Sequence, residues 1–208
     1  MNTLDYIVNK LKLDSSAPSP IEIPNMGRDD LAEWLHDLDF KIGVEVGIAE
    51  GEYSEIICKA NPQMKIYGVD PYEPYEGYTD YQTAEEFKVA YQEAVGRLKH
   101  FPNYVFIKEF SMDALKRFDD KSLDFVYIDA NHANPYVTWD IEGWSKKVKR
   151  GGIVSGHDYY KMGDYWQVIQ AVNKHIKDNH IKTWFILGLA SLIPGRVKDY
   201  SPSWMWVK

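Results

Sequence analysis

Strand-length apolar runs recur between helical stretches along most of this chain, and that alternation limits its fold more than any single residue does. The runs are "KIGVEVGI" (41–48), "KIYGVD" (65–70), "YVFIKE" (104–109), "LDFVYIDA" (123–130) and "GGIVSGH" (151–157). Between them lie the helical stretches Glu52–Ala60, Thr83–Lys99, Met112–Phe118 and Tyr136–Val148. Nearly continuous apolar strands joined by helical crossovers predict a mostly parallel sheet covered on both faces. A further helix, about Tyr165–Asn179, leads to "TWFILGLA" (183–190) and "SPSWMWVK" (201–208). Only "SLIPGRVKDY" lies between those last runs, with no helix, so an antiparallel pair at a sheet edge is expected. The expected fold is α/β: a Rossmann-like, doubly wound, mostly parallel seven-stranded sheet with a C-terminal antiparallel hairpin. Trp204 and Trp206 alternate along the last strand as core residues should.

Ahead of this pattern, "SSAPSPIEIPNMG" (15–27) reads as a linker behind a short amphipathic helix. Residues 1–27 are thus expected to be helix and linker, and residues 28–208 the domain. A length of 208 residues with 45% hydrophobic content suits one domain and is short for two. The net charge of −7 offers no general basic field for nucleic acid. The basic run "KKVKR" (146–150) falls at a helix end, where cations oppose the negative end of the dipole. Cys58 is the sole cysteine and reads as a buried helical thiol, which leaves no internal disulfide and fits a reducing compartment. "MNTLDYIVNKLKL" contains no apolar run suited to a signal peptide or membrane span. The expectation is a cytoplasmic protein with no membrane or nucleic-acid partner.

Open α/β sheets bind ligands beyond the carboxyl ends of their strands. The first strand ends in "VEVGIAEGEYS", giving Glu45-x-Gly47-x-x-x-Gly51. That is neither the dinucleotide fingerprint nor a P-loop. Glu45 and Glu50 would flank a pyrophosphate there, and like charges in a cleft are costly, so a ligand with a cationic end suits the loop better. The glycines then serve close backbone approach, or simply a tight turn. Asp70 ends the second strand, 25 residues after Glu45, where an acid accepts hydrogen bonds from ribose hydroxyls; a plain turn before Pro71 is the alternative. Asp129 ends the fourth strand, and His157 and Asp158 end the fifth, at one rim of the same crevice. Two carboxylates and an imidazole there make a candidate site for a hard divalent cation.

The order of elements resembles the class I S-adenosylmethionine (SAM) methyltransferase fold. SAM carries an ammonium and a sulfonium and no phosphate, which matches the charge of the glycine loop. The pattern "IDANH…Y…D…W…VK.GGI.SGHDY" resembles a family of SAM methyltransferases found near sugar and natural-product pathways. That family is related to the metal-dependent, catechol-type O-methyltransferases, and the likeness runs from about Lys41 to Asp158. It implies a cofactor site of Glu45, Gly47, Gly51, Asp70, Ser111, Met112 and Asp129, with Ser111 and Met112 of "EFSMDAL" against the adenine. Ser111 also suits a helix N-cap. The likeness further implies Asp129, His157 and Asp158 as ligands to Mg²⁺, His157-Asp158 replacing the family's acid and second oxygen ligand. His132 stands three residues after Asp129, where the catechol type has a basic lysine. His132, Asp129 and His157 are therefore the expected catalytic residues, with the two histidines as rival bases. Asp140 is expected to cap or pair locally.

"YEPYEGYTDYQ" (72–82) falls outside the likeness; its aromatic faces suit a lid or substrate wall, or it is an ordinary surface loop. Asn134-Pro135-Tyr136 resembles the Asn-Pro-Pro-Tyr signature of base N-methyltransferases, yet Asp129 holds the strand end and Pro135 opens the next helix. The expected activity is SAM-dependent O-methylation of a small hydroxylated molecule, a sugar or natural product, with metal assistance. The alternatives are a non-catalytic SAM-binding module and another reaction, such as hydroxylation, on the same scaffold. The expected partner is a small molecule, with self-association left open.

Overall fold

The computed structural model describes residues 2–161, 163, 166–188 and 201–208. In chain order the elements are α1 (Thr3–Leu11), β1 (Ile21–Ile23), α2 (Arg28–Asp37), β2 (Ile42–Val46), α3 (Glu52–Ala60) and β3 (Lys65–Val69). They continue with α4 (Ala84–Leu98), β4 (Tyr104–Ile107), α5 (Ser111–Ala114), a single 3₁₀ turn (Leu115–Arg117) and β5 (Leu123–Ile128). The last are α6 (Tyr136–Lys147), β6 (Val148–Gly156), α7 (Val168–Asp178), β7 (Trp184–Leu187) and β8 (Ser203–Val207). Local chemistry fixes several starts. Asn2 accepts the Asp5 amide at the head of α1, and Thr83 and Glu86 cap α4 reciprocally.

All the strands join one sheet in the order β1-β7-β8-β6-β5-β2-β3-β4. Only the pairs that β8 makes with β6 and β7 are antiparallel. The chain steps outward from β2 through β3 to β4, then returns to lay β5 on the other flank of β2. The crevice beyond the ends of β2 and β5 is the switch point at which such sheets bind ligands.

The expected arrangement is present, with an eighth strand added at one edge. That strand lies in the segment read as a linker: Ile21 pairs with Phe185 and Ile23 with Leu187, parallel to β7. Both isoleucines are buried and Glu22 is exposed, so "IEI" alternates as an edge strand does, although three residues between prolines are too short to announce it. The stretch expected as one helix over Met112–Phe118 instead begins at Ser111 and tightens into the 3₁₀ turn. Residues 189–200, expected to join the last strands without a helix, and Tyr165, the expected start of α7, lie outside the described residues.

All six residues of β5 are buried, as a strand covered on both faces requires. Its side chains alternate between two cores. Val126 and Ile128 pack on one face with Val44, Trp144 and Trp204, and Phe125 and Tyr127 on the other with Ile57, Ile66 and Met205. Trp204 and Trp206 both lie in the first of these cores, and Cys58 is buried in the second.

Candidate active site

The loop after β2 is built on a backbone that needs its glycine. Gly47 has φ +87°, and a Cβ there would stand 2.0 Å from the Asp129 carbonyl oxygen. The ends of β2 and β5 therefore touch through bare backbone. Glu45 is buried below the loop and accepts from the Ser54 hydroxyl, which lies 3.0 Å from the Tyr104 hydroxyl. Burial pushes its carboxyl up to about 8, against the Ser54 hydrogen bond and aided by the charge of Asp129. Asp70 accepts the amides of Ile48 (3.0 Å), Ala49 (3.3 Å) and Tyr72 (2.9 Å). A carboxylate has about four acceptor positions, so backbone amides occupy most of them.

A cavity of about 240 Å³ runs from Gly47 and Asp70 to Phe110, Ser111, Met112 and Asp140. Ser111 is the first helical residue of α5, with Phe110 at the N-cap. Its hydroxyl donates to Asp140 and accepts from the Trp144 indole at 2.8 Å. Asp140, expected to cap or pair locally, instead pairs with Ser111 on another element. Burial pushes its carboxyl up to about 7, and Ser111 offsets this only in part.

Beside this cavity, and sharing Gly47 and Tyr78 with it, a second one of about 390 Å³ holds the acids and histidines. The strands aim them: the Asp129 amide donates to Val46 of β2 at 2.7 Å, and the His157 amide to Ile128 of β5 at 3.0 Å. Asp158 turns into the crevice with φ +61°, a left-handed conformation that aspartate tolerates better than most residues. His132 Nε2 lies 2.8 Å from Asp158 Oδ2 and 3.8 Å from Asp129 Oδ1. His157 Nδ1 lies 3.4 Å from both Asp129 Oδ2 and Asp158 Oδ1. Arg28 Nη1 completes the group at 3.5 Å from Asp129 Oδ2.

Desolvation opposes charge here, and mutual attraction overcomes it. Burial alone would raise the Asp129 carboxyl, but His157, His132 and Arg28 together hold it well below the usual carboxylate range. Burial alone would lower His132, but the close carboxylates of Asp129 and Asp158 raise it to about 9. Donor atoms of Asp129, His132 and Asp158 all lie within 4.8 Å of one another. His132 Nε2 is buried, and despite its proximity to Asp158 it makes no aligned hydrogen bond. A buried nitrogen converging with two carboxylates on one point, without bonding either in line, is a donor set that fits a cation.

The segment 72–82 spans both cavities. Tyr72 donates to the Ala49 carbonyl at 2.8 Å, and Tyr81 donates to Glu50, both on the glycine loop. On the far side Asn131 donates to the Gly77 carbonyl at 2.9 Å and Tyr136 to the Glu76 carbonyl at 3.0 Å. Tyr75 and Tyr78 stack at 5.2 Å and wall the first cavity. Asp80 reaches the second, 3.9 Å from His132 Nδ1.

A sequence model described as a methyltransferase domain matches residues 44–159, more than half of the chain. The chain belongs to this methyltransferase-domain family. Its fold is the class I SAM-dependent methyltransferase fold that the order of elements led us to expect. No curated protein matches it. Among solved structures it is similar to an O-methyltransferase from Bacillus cereus in complex with S-adenosylhomocysteine (SAH), at 13% identity and a TM-score of 0.61, covering 99% of this chain and 90% of that one. It is also similar to a TDP-rhamnose 3′-O-methyltransferase of calicheamicin biosynthesis in its apo form, at 15% identity and a TM-score of 0.52, covering 85% and 75%. An O-methyltransferase family protein from Burkholderia thailandensis is similar at 13% identity and a TM-score of 0.51, covering 85% and 54%. At these identities the likeness is one of fold.

The structure brings the expected residues of this methyltransferase domain into two groups. Gly47, Asp70, Ser111 and Met112 border the first cavity; Glu45, Gly47, Asp129, His132, His157 and Asp158 border the second. Gly51 borders neither: it has φ +78° at the head of α3, and a Cβ there would stand 2.8 Å from Leu98 Cδ1, so it serves helix packing. Two residues of the second cavity carried no sequence signal, Arg28 of α2 and Trp166, whose ring stacks on His132 at 3.9 Å and 8°; Asp80 joins them from the 72–82 segment, where the tyrosines rather than the acid drew the reading. Each comes from a segment outside the strand ends. No described helix is long and apolar enough to cross a membrane.

Proposed function

We propose that this protein transfers the methyl group of SAM to a hydroxyl of a small molecule, a sugar or natural product, with help from a divalent cation. One observation carries the reading: an aromatic cavity sized for a nucleoside and an acid–histidine cavity meet at Gly47, at the switch point of the sheet. SAM fits the first, with its adenosine along Asp70, Ser111 and Met112 and its cationic end toward Glu45 and Asp129. The sulfonium methyl group then faces the second cavity.

Asp129 and Asp158 orient the acceptor hydroxyl there. Its oxygen attacks the methyl carbon in line with the sulfur, so a C–O bond forms as the S–C bond breaks and SAH leaves. The hydroxyl proton passes to His157 where a cation engages His132, and to a neutral His132 or His157 where none does; the adjoining carboxylates stabilise the imidazolium. Asp129, Asp158 and His132 would hold the cation, with His157 at its flank. When bound, the cation supplies Lewis-acid stabilisation of the acceptor oxygen and balances the carboxylates. Because nitrogen joins the donor set, Mn²⁺ suits the site as well as the Mg²⁺ expected from the family resemblance. Holding donor and acceptor together supplies most of the rate, since the sulfonium is already activated.

The test is transfer of radiolabelled methyl from SAM to a panel of hydroxylated acceptors, with and without EDTA. His132→Ala should lose turnover while keeping SAM affinity by calorimetry, and Asp129→Ala should lose turnover and weaken SAM binding as well. SAM binding without turnover on any acceptor would favour a non-catalytic SAM-binding module. The pairing of imidazoles with carboxylates also suits Fe²⁺, so turnover requiring Fe²⁺ and an oxo-acid, with no label transferred, would replace methylation by hydroxylation.

A further inference from the structure

Asp140 is a buried carboxylate for which the transfer just described has no use. It is 4% exposed, sits on α6 and borders the aromatic cavity. Its Oδ1 takes the Ser111 hydroxyl proton, and Ser111 in turn takes the Trp144 indole proton at 2.8 Å, so the carboxyl plane is held from behind. Its Oδ2 makes no hydrogen bond to a described residue and is accessible from the cavity that Asp140 borders. It is thus an acceptor at the wall of a mostly aromatic cavity, where a ligand N–H can meet it.

The neighbouring polar groups are already engaged. Asp70 accepts three backbone amides, and Asn131 spends its amide on the Gly77 carbonyl and its oxygen on the Ala133 amide. Ser111 is used in both directions. Asp70 stands at the glycine-loop end of the cavity, so a nucleoside whose ribose lies there directs its base toward Ser111, Met112 and Asp140.

We propose that Asp140 reads the base of the methyl donor: its Oδ2 accepts a hydrogen bond from the exocyclic amino group of adenine and selects adenine over hypoxanthine. The assignment rests on the proposed binding of SAM in this cavity. Hypoxanthine carries a carbonyl oxygen at that position, which sets acceptor against acceptor, and sites built to bond a substrate N–H reject analogues lacking it strongly.

Calorimetry on the full chain tests this without an acceptor substrate, using SAH and S-inosylhomocysteine as probes. The parent should bind SAH at least about tenfold more tightly than the inosyl form. Asp140→Asn, which keeps its amide oxygen on Ser111 and turns an N–H donor to the cavity, should invert the preference. Asp140→Leu should bring the two affinities within about twofold while melting cooperatively, and Asp140→Ala replaces it if the leucine variant does not fold. A parent that binds SAH without preference, or a leucine or alanine variant that keeps the preference, overturns the role of Asp140 and leaves the cofactor reading standing. A parent that binds neither probe overturns both.

Discussion

Replacing Asp140 with asparagine should make the protein more stable, and increasingly so as pH rises. The carboxyl is 4% exposed and has Ser111 as its sole hydrogen-bond donor among the described residues. Its pKa moves from 3.8 in an open chain to about 7 in the fold. A raised acid binds its proton more tightly in the folded state, so its stability contribution is fully present below pH 3.8 and is lost as pH rises through 7. At roughly 1.4 kcal/mol per unit, the penalty approaches about 4 kcal/mol at pH 8 and is about 1.7 kcal/mol at pH 5. Asparagine has no charge to desolvate, and its amide oxygen still accepts from Ser111. Urea unfolding of both proteins at pH 5 and pH 8 isolates the difference, because every other titrating group cancels. The variant's advantage should grow by about 2–3 kcal/mol between those pH values, with the m-value unchanged. An advantage that stays constant over that range would refute the desolvation of Asp140.

Gly47→Ala should lower the melting temperature and abolish SAH binding in a thermal-shift assay, since the added methyl meets the Asp129 carbonyl oxygen at 2.0 Å from backbone with φ +87°. Tyr81→Phe removes the hydrogen bond to Glu50 and should speed amide hydrogen exchange over residues 72–82, by about fivefold for roughly 1 kcal/mol, without changing exchange in β5. Asp80→Ala removes the carboxylate beside His132 Nδ1 and should weaken Mn²⁺ binding by on the order of tenfold in calorimetry, while SAH affinity stays within twofold.

The strand ends were legible because β2, β3, β5 and β6 are continuous apolar runs whose last residues change abruptly to Glu, Asp, His and Gly. Parallel pairing then forces those termini to one rim, which brings Asp129, His157 and Asp158 together. Arg28, Asp80 and Trp166 were not legible in this way, because tertiary packing alone carries their segments to the crevice. Arg28 shows this best. It starts a helix ahead of the first crevice strand, and its guanidinium lies over the Tyr53 ring at 5.3 Å and beside Asp129. Ser111, expected against the adenine or as a helix cap, is the first helical residue after the Phe110 cap, and its hydroxyl goes to Asp140 because α6 packs alongside. Three residues of β1 fell below what periodicity resolves.

The 72–82 segment is tied to the glycine loop on one side and to Asn131 and Tyr136 on the other, and Tyr78 borders both cavities. For a methyltransferase the consequence is kinetic. A nucleoside behind this strap cannot leave while the strap is fastened, and the acceptor site is walled only when it is. Donor should therefore enter before acceptor, and the spent donor should leave last and set the turnover rate. Inhibition by SAH that is competitive against SAM and non-competitive against the acceptor would mark that order; random addition would mean that the strap never gates.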